Sequence, residues 1–87
     1  MKYLIVIEKT NTGYSAYSPD IDGCVATGST KKETEKNMKE AMEFHLEGLQ
    51  LEEKYIPQPH TYSNFIEIAV QIQGTPYLIA DKTELHN

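Results

Sequence analysis

The sequence predicts an α+β protein with the element order β-β-β-α-β, in which one helix covers one face of a mostly antiparallel sheet. Three observations predict this class. Short strand-forming runs alternate with turn residues in the first third of the chain, one amphipathic helix follows, and an alternating apolar run comes after it. At 87 residues the chain has room for one hydrophobic core and one domain.

The first part of the chain contains three predicted strands joined by turns. Lys2–Glu8 and Tyr14–Ser18 are rich in β-branched or aromatic residues, and Cys24–Gly28 is a third, shorter run. Turn-forming residues lie between them, at Lys9–Gly13 and Pro19–Gly23. This spacing predicts consecutive antiparallel strands.

A single helix is predicted to follow the third strand. Thr30 and Glu33 have the spacing of a capping box, in which a hydroxyl and a carboxylate each satisfy a free amide of the first turn. Apolar and small residues then recur every three or four positions. They are Met38, Ala41, Met42, His45, Leu46 and Leu49. This stripe is expected to face the core.

After the helix the sequence predicts a linker and a fourth strand. Ile56–Pro59 contains two prolines and favours an extended linker. Phe65–Ile72 alternates along its length and gives the strongest strand signal, and Pro76–Ala80 is a candidate for a short edge strand. We therefore expect a domain at residues 1–75, followed by a short strand and tail at 76–87.

The first strand also predicts self-association. Both of its faces are apolar, since Tyr3, Ile5 and Ile7 alternate with Leu4 and Val6. One helix about 10 Å across cannot cover both faces of a sheet whose strands repeat every 4.8 Å or so. The helix-free face or an edge strand is expected to pair with a partner or a second subunit, which predicts a homodimer or homotetramer.

The net charge and the cysteine content indicate which kind of partner and which cell compartment suit this chain. Thirteen acidic against eight basic residues give a net charge of −5, which repels nucleic acid and suits a basic protein partner. The single cysteine, Cys24, excludes an intrachain disulfide and fits a reducing cytoplasm. The apolar run Tyr3–Ile7 is far shorter than the roughly 20 residues of a membrane span. We expect a cytoplasmic protein that contacts no membrane.

Catalytic and metal-binding motifs are not recognisable in the sequence. None of the three histidines has a cysteine or histidine at metal-ligand spacing, and Cys24 has no histidine nearby in sequence. Asp20 and Asp22 fit a turn better than a cation site. We expect no enzyme activity, no cofactor and no metal. A two-metal nuclease stays an alternative. Its candidate ligands are Glu8, Glu40 or Glu43, and Glu67.

Tyrosine is the abundant aromatic residue, with six copies. Tyr14 and Tyr17 lie on the predicted second strand, and Tyr55 and Tyr62 flank the linker. Because a tyrosine ring combines apolar area with a polar tip, it is favoured at protein interfaces. Partner contact is one interpretation of these positions, and packing at the sheet margin is the other.

The segment Tyr14–Thr30 (YSAYSPDIDGCVATGST), together with FHLEGL at Phe44–Leu49, resembles the HicB-like antitoxin family. The resemblance covers most of Met1–Val70. Its most specific part is the pattern P-D-x-x-G-C-x-x-x-G-x-T. The residues of this pattern are Pro19, Asp20, Gly23, Cys24, Gly28 and Thr30. The resemblance implies a partial ribonuclease-H-like fold that has lost its catalytic acids, and it implies binding rather than turnover.

The resemblance also implies a partner. Members of this family typically neutralise HicA, a small basic RNA-cleaving toxin, so we expect an antitoxin that binds a HicA-like toxin. The expected contacts are Tyr14, Tyr17, Asp20 and Asp22. The residues expected to be structural are Pro19, Gly23, Cys24, Gly28 and Thr30.

DNA binding is not expected, although many family members carry a helix-turn-helix or ribbon-helix-helix segment after this domain. Here Gln73–Asn87 follow the predicted fourth strand, with a single lysine among them. The alternative to the antitoxin interpretation is an orphan oligomeric binding module of the same fold without a toxin partner.

Overall fold

The computed structural model of the protein describes residues 1–71. It contains β1 (Val6–Lys9), β2 (Tyr14–Ser18), β3 (Ile21–Gly28) and α1 (Lys31–Leu51). The strands form one antiparallel sheet in the order β1-β2-β3, and α1 packs mainly on β3 and then on β2. The predicted α+β class is confirmed. Residues 1–71 include no helix that combines the length and the apolar character needed to cross a membrane.

The first strand is shorter than the predicted Lys2–Glu8, because its neighbour ends early. β1 begins at Val6, and β2 ends at Ser18. The hydroxyl of Ser18 donates to the carbonyl oxygen of Leu4 over 2.8 Å, and the next residue, Pro19, has no amide hydrogen for the ladder. The residues before Val6 therefore stay outside the strand pairing.

The third strand is longer than the predicted Cys24–Gly28. β3 begins at Ile21, so the turn between β2 and β3 contains only Pro19 and Asp20. A register shift beside Tyr17 accommodates the extra residues of β3. The predicted second strand has the bounds that the structure shows.

The hydrophobic core is small and lies between the sheet and α1. Its buried residues are Ala16, Ile21, Cys24, Met38 and Met42. Half-buried side chains that pack against them are Tyr3, Ile5, Ile7, Ala26, Ala41 and Leu46. The helix contributes residues from the predicted stripe, because positions three and four apart share one side of a helix.

The helix begins as the capping pattern predicts. Thr30 is the N-cap, and its hydroxyl oxygen accepts a hydrogen bond from the amide of Glu33 over 3.0 Å. The Glu33 carboxylate accepts from the hydroxyl and the amide of Ser29, both at 2.6 Å. These bonds, the hydroxyl first, lower the pKa of Glu33. α1 ends at Leu51, and Glu53 with a φ of 57° redirects the chain.

The fourth strand predicted over Phe65–Ile72 is not formed in residues 65–71. This segment has no regular secondary structure. Its large apolar side chains are exposed, at 99% for Phe65, 80% for Ile66, 69% for Ile68 and 67% for Val70. The sequence pattern is that of a strand, but a strand also needs a hydrogen-bonded neighbour, and this segment pairs with no strand of residues 1–71.

The remaining predictions for the C-terminal part are not tested. Ile72, the predicted edge strand Pro76–Ala80 and the tail lie outside the described residues. The domain boundary at residue 75 also stays a prediction.

Candidate partner-binding surface

The turn between β2 and β3 is fastened to the linker by Asp20. Its Oδ2 accepts hydrogen bonds from the amides of His60 and Thr61 at 2.9 and 3.0 Å. Its Oδ1 accepts from the Thr61 hydroxyl at 2.6 Å and lies 3.1 Å from Nε2 of His60. The side chain of Asp20 has no solvent-accessible area. We call this arrangement the latch (Asp20, His60 and Thr61).

The latch keeps Asp20 ionised. The pKa of Asp20 is lowered chiefly by the hydrogen bond from the Thr61 hydroxyl. The amides of His60 and Thr61 and the imidazole of His60 lower this pKa further, whereas desolvation raises it. A carboxylate with both oxygens engaged inside the chain has no free acceptor for a partner. The structure therefore gives Asp20 an internal role, and its predicted contact with a toxin would require the latch to open.

The other predicted contact residues divide between the two faces of the sheet. Tyr17 is 44% exposed and lies on the helix-free face, because its neighbour Ala16 is buried against α1. Tyr14 lies two positions from Ala16, on the helix side, with the Lys9 ammonium 5.0 Å from its ring centroid. Asp22 is exposed at the start of β3. One flat partner surface therefore cannot use both tyrosines equally.

Tyr17 is the centre of an apolar row across the helix-free face. It pairs with Val6 on β1 and with Val25 on β3, and Val25 is 65% exposed. The next outward-facing row is polar, with Ser15 between Glu8 and Thr27. Cross-strand neighbours on one face have Cβ atoms about 5 Å apart, so these three side chains form one continuous patch. We call it the Tyr17 row (Val6, Tyr17 and Val25).

An acidic surface on α1 was missed from the sequence. Phe44 is 79% exposed, and it lines a shallow groove together with Glu40, Glu43 and Glu47. Lys39 approaches Glu43 to 3.4 Å. Phe44 lies far from the centre of the apolar stripe of the helix, which was a signal that it faces outward.

Three residues of the sequence pattern shape the turn and the core. Pro19 opens the turn beside Asp20. Gly23 has a φ of 77°, a left-handed conformation that favours glycine. Cys24 is buried in the core, and burial raises the pKa of its thiol. This environment suits a small packing residue better than a nucleophile.

Gly28 and Thr30, the last residues of the sequence pattern, lie where β3 comes close to α1. A Cβ on Gly28 would lie 2.6 Å from Oγ1 and 2.8 Å from the amide nitrogen of Thr34, so the absence of a side chain permits this approach. Thr34 is fully buried, and its hydroxyl donates to the carbonyl oxygen of Thr30 over 2.7 Å. Gly28 and Thr30 thus determine where the helix starts and how closely it packs.

The alternative of a metal-dependent nuclease gains no support from the arrangement of the carboxylates. Within residues 1–71, no three side chains of histidine, cysteine, aspartate or glutamate form a group that could hold a metal ion. Glu8 lies on the helix-free face of β1, whereas Glu40 and Glu43 lie on the outer side of α1 and Glu67 lies in the exposed segment. An α+β unit with an exposed apolar row on the sheet and an acidic groove on the helix is typical of a binding module.

The chain matches the model of the HicB-like antitoxin of bacterial toxin-antitoxin systems over residues 3–81. It belongs to the HicB-like antitoxin family. It is 40% identical over 85 residues to an uncharacterised 14.9 kDa protein in the rep-hol intergenic region of Haemophilus phage HP1, with 86% of this chain and 63% of the phage protein covered. It is 38% identical over 65 residues to a UPF0150 protein of Helicobacter pylori, covering 74% of this chain and 90% of that protein.

Solved structures that are similar to this chain belong to the same family. One is a HicA3 and HicB3 toxin-antitoxin complex, with a TM-score of 0.60, 42% identity and coverage of 69% of this chain and 70% of that chain. Another is a crystal structure of antitoxin HicB3, with a TM-score of 0.58, 44% identity and coverage of 66% of this chain and 42% of that chain. The chain thus spans less than two thirds of the phage protein and of this HicB3 chain.

Proposed function

We propose that this chain is the antitoxin of a toxin-antitoxin pair and neutralises a small basic HicA-like RNA-cleaving toxin by binding it. The observation that carries the proposal is the 42% identity and TM-score of 0.60 to a chain of a HicA3 and HicB3 complex. We also propose that the protein acts in the cytoplasm by binding, without catalysis, and that it contacts neither nucleic acid nor a membrane. The proposal includes a partial ribonuclease-H-like fold.

Charge supports the choice of a basic partner. The chain has a net charge of −5, and Glu40, Glu43 and Glu47 are exposed on one side of α1. Such a surface accelerates association with a basic protein. We therefore expect the association rate to fall as salt is raised, because exposed charges are screened beyond about 8 Å at physiological ionic strength.

The Tyr17 row is the contact surface that we assign to the toxin, with Asp22 beside it. A half-exposed tyrosine between two valines offers the apolar centre that interface residues need, and Glu8 in the neighbouring outward-facing row supplies an acidic group at the rim. Tyr14, on the other face, is assigned a peripheral contact at the end of β2. Asp20 acts indirectly by holding the linker.

Co-expression with the product of the adjacent gene, followed by a pull-down and an RNA-cleavage assay, tests the proposal. A complex that silences cleavage is the expected result. A self-associated protein that neither binds the product nor reduces cleavage would favour the orphan module.

Single substitutions test the surface. Tyr17→Ala should weaken the complex by about 2 kcal/mol, the range of a central aromatic contact, which corresponds to about a thirtyfold rise in Kd. Tyr55→Ala is the matched control, because Tyr55 is 98% exposed beside the linker and is not part of the Tyr17 row. Equal Kd values for the two variants, measured by calorimetry, would show that the toxin binds elsewhere.

A further inference from the structure

The regular pairing of β2 and β3 breaks at the end of the sheet beside Tyr17. Tyr17 pairs with Val25, and the next residue of β2, Ser18, pairs with Ile21. The three residues of β3 between these two pairs have no counterpart in β2, and we call them the bulge (Asp22–Cys24). Because the extra residues of a bulge are left out of the ladder, contacts outside the ladder must hold them in place.

The hydrophobic core holds one end of the bulge. Cys24 is buried in the core, whereas Asp22 and Gly23 are exposed and Gly23 has a φ of 77°. Glycine loses more conformational freedom on folding than any other residue, so ordering this stretch has a high entropic cost. The position of its exposed end depends on the turn that precedes it, Pro19–Asp20.

The latch holds this turn. Thr61 supplies two of the hydrogen bonds to the Asp20 carboxylate, from its hydroxyl at 2.6 Å and from its amide at 3.0 Å. The amide of His60 supplies a third at 2.9 Å. Hydrogen bonds to an ionised group are about twice as strong as those between neutral groups. The turn before the bulge is therefore fastened firmly to the linker.

The linker is itself held against the body of the protein, so the latch has a fixed base. Four of its side chains are half-buried, and the hydroxyl of Tyr3 donates to the carbonyl oxygen of Pro57. The half-buried residues are Ile56, Pro57, Pro59 and Thr61. Each proline also restricts the backbone to a narrow range of φ. The turn is thus connected through the linker to the start of the chain.

We propose that the latch positions the toxin-binding surface, because the Thr61 hydroxyl holds Asp20, and with it the turn and the bulge, in the arrangement that the toxin meets. Asp20 and Thr61 are positioning residues, and the contacts themselves are made by the Tyr17 row and Asp22. A surface that is ordered before binding loses less entropy on association and binds more tightly. The inference rests on the proposed function, since toxin affinity is its readout.

Two substitutions at Thr61 isolate the contribution of the hydroxyl. Thr61→Val keeps the shape of the side chain and removes the hydroxyl, whereas Thr61→Ser keeps the hydroxyl. By calorimetry with the product of the adjacent gene, we expect Thr61→Val to raise the Kd by about tenfold and Thr61→Ser to restore an affinity near that of the wild type. Thr12→Val is the matched control, because Thr12 is exposed in the turn at the opposite end of β2.

A double-mutant cycle tests whether Thr61 acts through Asp20. If the hydroxyl works by holding the carboxylate, Thr61→Val should have little further effect on the Kd once Asp20→Asn is present. Fold-changes that multiply would show that the two residues act independently, and would overturn the proposal. Amide protection at Asp22 and Gly23 in the free protein should fall in Thr61→Val and recover in the complex, because the toxin then orders the bulge.

The outcomes separate this inference from the proposed function. A wild-type protein that does not bind the toxin would overturn both. A wild-type complex whose Kd is unchanged in Thr61→Val would overturn the positioning role alone, and so would a lower Tm with unchanged Kd, which indicates a purely structural hydroxyl. Tighter binding by Thr61→Val would show that the toxin has to open the latch, and would overturn the positioning role as well.

Discussion

Replacing glycine by alanine is expected to destabilise the protein at position 28, where β3 approaches α1, and to stabilise it at position 48 in the helix. In Gly28→Ala the new methyl group would lie 2.6 Å from Oγ1 and 2.8 Å from the amide nitrogen of Thr34. Both distances are well below van der Waals contact, and the second involves backbone that cannot rotate away. Overpacking of this kind costs about 1 to 3 kcal/mol. Gly28 does not have a positive φ, so the cost is steric.

Gly48→Ala is the matched control. A Cβ on Gly48 would meet no atom within 4 Å, and Gly48 lies within α1, three residues before its end. Alanine is favoured over glycine in a helix interior by about 0.5 to 1 kcal/mol, so this variant should be more stable than the wild type.

Thermal unfolding at one fixed protein concentration measures both variants. A change of 1 kcal/mol shifts the Tm of a domain of this size by about 4 to 8 °C, so the two variants should differ by well over 5 °C with opposite signs relative to the wild type. Fixed concentration is needed because any self-association would also stabilise the folded state. A Gly28→Ala protein that melts at the wild-type temperature would refute the inferred close contact between strand and helix.

Two further predictions concern the core and the latch. Met38 is fully buried at the centre of the helix face. In urea titrations, Met38→Ala should lower the free energy of unfolding by about 2 to 5 kcal/mol, because it leaves a cavity. Met38→Leu keeps the volume and should lower the same free energy by less than about 1.5 kcal/mol. The pKa of Asp20 is lowered below its ordinary value of 3.8 by the Thr61 hydroxyl and the other latch contacts, so the latch contributes stability above that pH and loses it as the pH falls through the folded-state pKa. The protection factors of the His60 and Thr61 amides, which are corrected for the pH dependence of intrinsic exchange, should therefore fall in acid. Asp20→Asn should show low protection already at neutral pH, and equal protection in both proteins would contradict the latch.

Local patterns in the sequence determined the elements whose causes are local. The hydroxyl of Thr30 and the carboxylate of Glu33 lie within one helical turn, so a capping pattern predicts the helix start directly. The apolar stripe that includes Met38 and Met42 follows from helical periodicity alone. β2 was predicted with its observed bounds because turn residues stand at both of its ends.

Only the tertiary structure decided features that depend on residues far apart in the chain. Asp20 and Thr61 are separated by 41 positions, and nothing near Asp20 distinguishes a latch from a partner contact. The length of β1 depends on where its neighbour ends, and the lack of regular secondary structure in residues 65–71 follows from the absence of a paired strand within residues 1–71. Side-chain alternation indicates which segments can form strands, but hydrogen bonds to a neighbouring strand decide which segments form them.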